Sequence, residues 1–305
     1  MSDAPVSAPI EVKRSGFVAV AGRPNAGKST LVNWIVGHHV AIVSPIAQTT
    51  RRIVRAVARR GDAQIIFVDL PGSQKPMDRM TERMQRAVVK SFGDVDMVLW
   101  VIDGLDEPGR GEQHVADLVF GAGVPVIIAL NKVDKSQPTK IAERIMQLSE
   151  LIGDREYAAL VPMSAVTGDG VDALLGEIAT HLPEGPAWFG DEDVVDMRDE
   201  ERIAEYVREA TLSHLREELP HASAVTVDDL FDQDGRIHAE CTIWVERQSQ
   251  VGIVVGKGGD TIRDIGIAAR TMIDHQLGAP VHLELRVKVR KRWREDDTWL
   301  ARAGL

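Results

Sequence analysis

Apolar runs and mixed segments of helical spacing alternate through the first half of the chain. The runs "GFVAVAG", "RRIVRAVARR", "AQIIFVDL", "DMVLWVID", "VPVIIALNK" and "YAALVPMSA" read as strands. Several are apolar at every position, as strands covered on both faces must be. Between them, "KSTLVNWIVG", "DRMTERMQRAVVKSF", "PTKIAERIMQLSELIG" and "GVDALLGEIATHL" space their apolar residues as helices do. The alternation predicts a doubly wound α/β domain with a mostly parallel sheet over residues 15–183, behind a flexible leader at 1–14. "LPEGPAWFGDEDVVDMRDEE" breaks the pattern and predicts a linker at 184–198. A second unit, α+β in pattern, then occupies 199–305. It begins with a long helix, "DEERIAEYVREATLSHLREELP", stopped by Pro220. Two strands follow near 223–231 and 236–246, joined at "DQDG". Then come a short helix, a glycine loop, a helix over 260–277 and a last strand, "VHLELRVKV".

Composition changes this picture little. A chain of 305 residues suits two domains, and no run approaches the length of a membrane span. The leader lacks the apolar core of a signal peptide, so a cytoplasmic protein is expected. The lone Cys241 sits in an alternating strand pattern and reads as a buried thiol. None of the histidines shows a metal-binding spacing, so no transition metal held by protein ligands is expected.

Charge matters more. The net charge of −10 excludes a protein coated in nucleic-acid-binding charge. Yet residues 186–234 carry 4 basic and 15 acidic groups, whereas 247–294 carry 10 basic and 4 acidic. One surface near the C-terminal end can therefore attract phosphate.

"GRPNAGKS" (Gly22, Arg23, Pro24, Asn25, Ala26, Gly27, Lys28, Ser29) fits G-x-x-x-x-G-K-[ST] after a strand and at the start of a helix. Its glycines let the backbone wrap phosphate oxygens, and the helix N-terminus adds partial positive charge. Lys28 is placed for the β- and γ-phosphates and Ser29 for Mg²⁺. "DLPG" (Asp69, Leu70, Pro71, Gly72), followed by Ser73, ends the run "IIFVDL". Asp69 is expected to hold Mg²⁺ through water, and the Gly72 N–H to sense the γ-phosphate. "NKVD" (Asn131, Lys132, Val133, Asp134) ends a later strand. Asp134 can accept two hydrogen bonds that guanine offers and adenine does not. Ser164 and Ala165 end the next strand, where a backbone N–H can meet guanine O6. All lie where ligands bind in open α/β sheets, at strand C-terminal ends, and together they specify GTP. In the loop "SPIAQTTRR", Thr50, or alternatively Thr49, is the candidate second Mg²⁺ ligand and switch residue. Ser73 is short where a longer polar side chain would position water, and no arginine is assigned as a built-in finger. Slow unaided hydrolysis is expected.

A second glycine loop, Gly256-Lys257-Gly258-Gly259, lies in "IVVGKGGDTIRDIG". The ordered motifs, this loop between two helices, "ELPHASAV" before the strands and "VKVRKRWRED" after them resemble the Era family of GTPases over about residues 15–300. The resemblance implies a P-loop GTPase domain followed by a type II KH domain. It implies binding of the single-stranded 3′ end of small-subunit rRNA, a role in assembly of the small (30S) ribosomal subunit, and a GTP-bound state that favours RNA. In some members it implies peripheral membrane contact. A KH loop of small residues lets single-stranded RNA approach the main chain, with "VGIVV" and "TIRDIG" forming an apolar groove for bases. Lys257, Arg263 and Arg270 are candidate phosphate contacts, with Arg286, Lys288, Arg290, Lys291, Arg292 and Arg294 beyond them. Trp293 and Trp299 could stack on bases or pack inside. Asn25 matches the P-loop asparagine of potassium-activated relatives and is a candidate K⁺ ligand, with K⁺ as activator beside Mg²⁺.

Leu70 and Ser73 depart from the family pattern and put water positioning in doubt. The acidic segment Asp191 to Glu201 reads either as an RNA mimic for the basic surface or as a solvated linker and helix start. The competing functions are an RNA chaperone not gated by GTP and a phosphotransferase using the C-terminal unit as a lid. The latter lacks an acceptor base. A monomer is expected.

Overall fold

The computed structural model describes residues 11–44, 49–73, 76–191, 193–215 and 219–305. The first unit runs β1 (Arg14–Ala21), α1 (Lys28–Val36), β2 (Val54–Arg60), β3 (Ala63–Asp69), α2 (Arg79–Phe92), β4 (Met97–Asp103), α3 (Arg110–Phe120), β5 (Val126–Asn131), α4 (Pro138–Ile152), β6 (Ala159–Pro162) and α5 (Val171–His181). Its sheet order is β6-β5-β4-β1-β3-β2, and a two-residue strand, β7 (Val195–Asp196), joins the β2 edge. β2 is antiparallel to β3 and to β7, and the other pairs are parallel.

Period-two alternation sorts the strand residues onto two buried faces. Val18 and Val20 join Leu31 of α1 and Leu174 of α5 on one side. Ala19 and Ala21 join Val88 of α2, Val115 of α3 and Leu148 of α4 on the other. The sheet is therefore covered twice, and its strand C-termini open at one edge, beside α1.

The second unit runs α6 (Asp199–His214), α7 (Leu219–Ala222), β8 (Ala224–Gln233), β9 (Arg236–Val245), α8 (Gln248–Val255), α9 (Asp260–Leu277), β10 (Val281–Val289) and α10 (Asp297–Arg302). β9 lies between β8, antiparallel to it, and β10, parallel to it. Asp234 and Gly235 form the two-residue hairpin turn with φ of 55° and 76°, as a turn with positive φ at both centres requires. Helices α6, α8 and α9 cover one sheet face through Val207, Val254, Ile265 and Ile273.

The two units meet through a third apolar cluster. Met80 and Met84 of α2 pack with Ala224, Trp293, Trp299 and Leu300. Both tryptophans are thus internal, and stacking on bases is not their place in this structure.

Several expectations need correction. The long helix ends at His214, not at Pro220. Leu215 turns to extended backbone and is buried in the second core, and Pro220 lies in the first turn of α7, where a missing N–H is tolerated. The sequence reading missed α3, α10 and β7. Among the described residues no helix is long and apolar enough to cross a membrane, and no cluster of metal-ligating side chains for a transition metal occurs.

Candidate nucleotide and RNA sites

The loop after β1 is shaped by close approaches. Gly22 has φ 152°, and a Cβ there would fall 2.3 Å from the Val101 carbonyl. At Gly27, φ 98°, a Cβ would fall 2.1 Å from Asn131 Nδ2. Only glycine fits either position. Asn25 also takes positive φ, 63°. Lys28 opens α1 and is buried, its Nζ donating to the carbonyls of Gly22 (3.1 Å) and Arg23 (2.9 Å). Burial lowers its pKa to about 8, against the opposing pull of Asp69 and Glu112. Arg23 leans to Glu112 of α3 (3.7 Å), whose carboxyl burial pushes up while Arg23 and the Trp100 indole N–H hold it down.

Three predicted metal-site groups converge. Ser29 Oγ lies 3.0 Å from Thr50 Oγ1 and donates to Asp69 Oδ2 at 2.8 Å. Asp69 is fully buried and its Oδ1 has no hydrogen-bond partner. Burial raises its pKa to about 6, while Lys28, Ser29 and Thr50 draw it down. A buried oxygen left unpaired beside two hydroxyls is an environment suited to a hydrated Mg²⁺. Both threonines border the cavity, and Thr50 is the one whose hydroxyl approaches Ser29. The Thr49 carbonyl accepts from Arg208 of α6.

Gly72 packs against Pro24, where a Cβ would fall 2.9 Å from its nitrogen, and the Ser73 N–H donates to the Gly22 carbonyl at 3.3 Å. Asn131, at the end of β5, fastens the site. Its Nδ2 donates to the Ala26 carbonyl (2.8 Å), and its Oδ1 accepts from the N–H groups of Lys132 (2.8 Å) and Ala165 (2.9 Å). Lys132 has φ 69° and pairs with Asp103 at 2.6 Å. Val133 and Asp134 lie in a short turn, with Asp134 exposed. Ser164 Oγ accepts from the N–H groups of Val166 and Thr167, fixing the loop that carries Ala165. The P-loop from Pro24 to Thr30, with Thr49, Thr50, Gly72 and Lys132, borders a cavity of about 470 Å³, which also touches Ile42, Val43 and Lys135, three residues the sequence did not single out; Asp134, Ser164 and Ala165 lie outside its lining.

The second glycine loop joins α8 to α9. A Cβ on Gly256 would fall 2.2 Å from Thr261 Oγ1, whereas Gly258 and Gly259, both at positive φ, face open space. Ile253 and Ile267 are exposed on the adjoining helices, as an apolar groove requires. Lys257 and Arg270 are exposed, and Arg263 pairs along its own helix with Asp260 (3.0 Å) and Asp264 (3.7 Å).

The basic run does not form one surface. Lys288 and Arg286 lie on the sheet face opposite α8 and α9, paired with Asp228 (3.8 Å) and Glu240 (2.8 Å). Arg290 pairs with Asp296 (2.5 Å) and Arg294 crosses to Asp78 at the start of α2 (2.5 Å). Strand alternation sends Arg286 and Lys288 of β10 away from the helix layer. Lys291 and Arg292 stay exposed. The acidic segment is also engaged elsewhere. Asp191 and Asp196 pair with Arg59 (2.6 Å) and Arg55 (3.1 Å) of β2, so the linker lies on the first unit rather than on the basic surface.

The structure agrees closely with two solved structures. Aquifex aeolicus Era Y63A bound to GDP·AlF4⁻ superposes with a TM-score of 0.91 at 33% identity, covering 95% of this chain and 99% of that one. Era in complex with MgGDPNP and nucleotides 1506–1542 of 16S ribosomal RNA gives 0.92 at 33% identity, covering 96% and 99%. This chain belongs to the Era family. Residues 17–132 also match the 50S ribosome-binding GTPase family and residues 218–294 the KH domain family. The protein is thus an Era-family GTPase, its first unit a P-loop GTPase domain and its second a type II KH domain. Contacts from α6, α10 and Trp293 join the KH domain to residues 49–52 and to α2 of the nucleotide domain. Arg51 donates to the Ser223 carbonyl (2.7 Å), Arg52 to the Ala303 carbonyl, and Arg83 of α2 to the Leu305 carbonyl (3.0 Å).

Proposed function

We propose that this GTPase is a switch whose KH domain binds the single-stranded 3′ end of small-subunit rRNA and which acts in assembly of the 30S subunit. The observation that carries this reading is the double attachment of the KH domain to residues 49–52 and to α2. Loss of the γ-phosphate frees Thr50 and Gly72 in P-loop GTPases. Here either release would disturb Arg208 or the Trp293 cluster, and with them the KH domain.

In this reading Lys28 and the N–H groups of Gly22 to Ser29 hold the phosphates, and Asp134, Asn131 and Ala165 select guanine. Ser29 and Thr50 ligate Mg²⁺ directly and Asp69 does so through water; the ion, once bound, neutralises charge developing between the β- and γ-phosphates. Ser73 has no reach to orient water, so hydrolysis awaits a partner or an ion. Asn25 borders the cavity and is proposed as the ligand of an activating K⁺. Exchange of K⁺ for Na⁺ should then slow turnover, and an unchanged rate removes that ligand. The RNA backbone passes over Gly258 and Gly259, with Lys257, Arg270, Lys291 and Arg292 as cationic contacts. The reading includes a cytoplasmic monomer. Peripheral contact with the inner face of the membrane rests on the family resemblance alone.

The test is binding of a labelled oligonucleotide from the 3′ end of small-subunit rRNA, with GDP or a non-hydrolysable GTP analogue. Tighter binding with the analogue, lost in Lys257→Asp/Gly258→Asp, is expected. Equal binding in both states would leave an ungated RNA chaperone.

A further inference from the structure

The KH sheet has a second face, turned away from α8 and α9. Its end near the GTPase domain carries a complete arrangement. Lys288 Nζ lies 5.7 Å from the Trp244 ring centroid and 3.8 Å from Asp228, so an aromatic ring and a carboxylate share one cation. The far end repeats the rings and the carboxylates. Phe231, His238 and His282 form one row across all three strands. Phe231 and His238 stack with centroids 5.0 Å apart and planes 8° apart, and His238 and His282 lie 5.1 Å apart. Phe231 is 46% exposed. The next row is Asp229, Glu240 and Glu284, in direct register. An irregularity between Val227 and Asp229 adds one residue there and brings Asp229 opposite Glu240.

Like charges directly opposite one another weaken a sheet. Arg286 offsets part of this row, reaching Glu240 at 2.8 Å and Glu284 at 3.4 Å. Asp229, together with Asp232 and Asp234 at the hairpin, lies beyond it. Among the described residues, no cation lies over Phe231 as Lys288 does over Trp244. We propose that this row is a docking surface for an arginine- and lysine-rich polypeptide segment, whose cationic side chains stack on Phe231, at the outer end of the ring row, and pair with Asp229 and Glu284. The carboxylates disfavour RNA on this face. The KH domain would then hold RNA on its helix side and a basic protein on its sheet side.

The test uses the full chain and a fluorescein-labelled arginine–glycine peptide, followed by anisotropy, with a glutamate–glycine peptide as the negative control. Phe231→Ser, which leaves the charge unchanged, and Asp229→Lys/Glu284→Lys should each weaken binding about tenfold or more. Asp154→Lys/Glu156→Lys, the same charge change on an exposed loop of the GTPase domain, should leave it within about twofold, as should Lys257→Asp/Gly258→Asp. The last variant separates this surface from the RNA reading. Equal weakening by the Asp154/Glu156 control would reduce the effect to bulk attraction and overturn the proposal. So would wild-type binding by Phe231→Ser with an unchanged thermal midpoint, or no binding by the wild type. Loss of RNA affinity in Phe231→Ser with peptide affinity retained would assign the face to nucleic acid instead.

Discussion

Asn131 ties three loops together with a single buried amide. Removing it leaves the Ala26 carbonyl and the N–H groups of Lys132 and Ala165 unpaired, at about 1–3 kcal/mol each where water cannot reach. Asn131→Ala should therefore lower guanine nucleotide affinity by about 100-fold or more, read by titration with a fluorescent GDP analogue. Asp134→Asn tests a different chemistry. It replaces an acceptor by a donor, so GTP affinity should fall roughly tenfold to a hundredfold for each bond lost. Xanthosine triphosphate, with a carbonyl where guanine carries its amino group, should gain. If both nucleotides weaken equally in a competition assay, Asp134 does not read the base. These residues were legible because each motif is contiguous and names its own chemistry. Between Thr49 and Thr50 the sequence favoured Thr50 without excluding its neighbour. Adjacent residues of one type differ only in direction, and the 3.0 Å approach to Ser29 singles out Thr50.

α6 was read as a helix, but its contacts were not readable from local sequence. Arg208 is 2% exposed, pairs with Glu205 one turn earlier (2.6 Å) and donates to Thr49, a partner 159 residues away. No window along the chain reveals such a contact. Breaking a buried pair on one side is worse than removing both members. Arg208→Met should lose about 3–5 kcal/mol in a urea melt, and Glu205→Gln/Arg208→Met should recover a large part of it. Both variants should hydrolyse GTP more slowly than the wild type, because Thr49 loses its donor in each. The loop between α8 and α9 offers a second contrast. Gly258→Ala meets open space and should lose only about 1–2 kcal/mol for its left-handed backbone. Gly256→Ala collides with Thr261 and should destabilise the protein by clearly more in the same melt. The misread helix end has a plain cause. Pro220 is a stop signal only when a helix reaches it, and the chain leaves α6 at Leu215 to bury that side chain.

The association of the two domains is held by acids whose titration can be followed. Burial opposes ionisation of Glu205, but the Arg208, Arg52 and Arg51 guanidiniums bring its pKa below the ordinary 4.5. Burial likewise opposes ionisation of Asp78, which Thr81 and Arg294 hold below 3.8. The folded protein thus binds fewer protons than the unfolded chain near these values. Their stabilisation is complete above about pH 5 and is lost as pH falls through the depressed values, below about pH 4. Trp293 and Trp299, buried at the same interface, report the change. Their emission should shift to the red on acidification below about pH 4 and stay constant between about pH 5 and 7. A shift centred above pH 5 would assign the transition to other groups. The domain content was legible from the change of pattern at the acidic segment. The way the domains meet was not, because Met80, Met84, Trp293 and Trp299 come from two distant segments that each read as ordinary amphipathic surface. The linker is also more than a spacer. Gln64 is bonded by the N–H of Trp188 (2.7 Å), Asp191 grips Arg59, and Val195–Asp196 extends the sheet along β2. Only Met197 and Arg198 separate that last strand from the first turn of α6. A swing of the KH domain therefore pivots on the backbone torsions of two residues, a short axle bolted to the edge of the GTPase sheet. Glycine at either residue would loosen the joint without touching nucleotide or RNA.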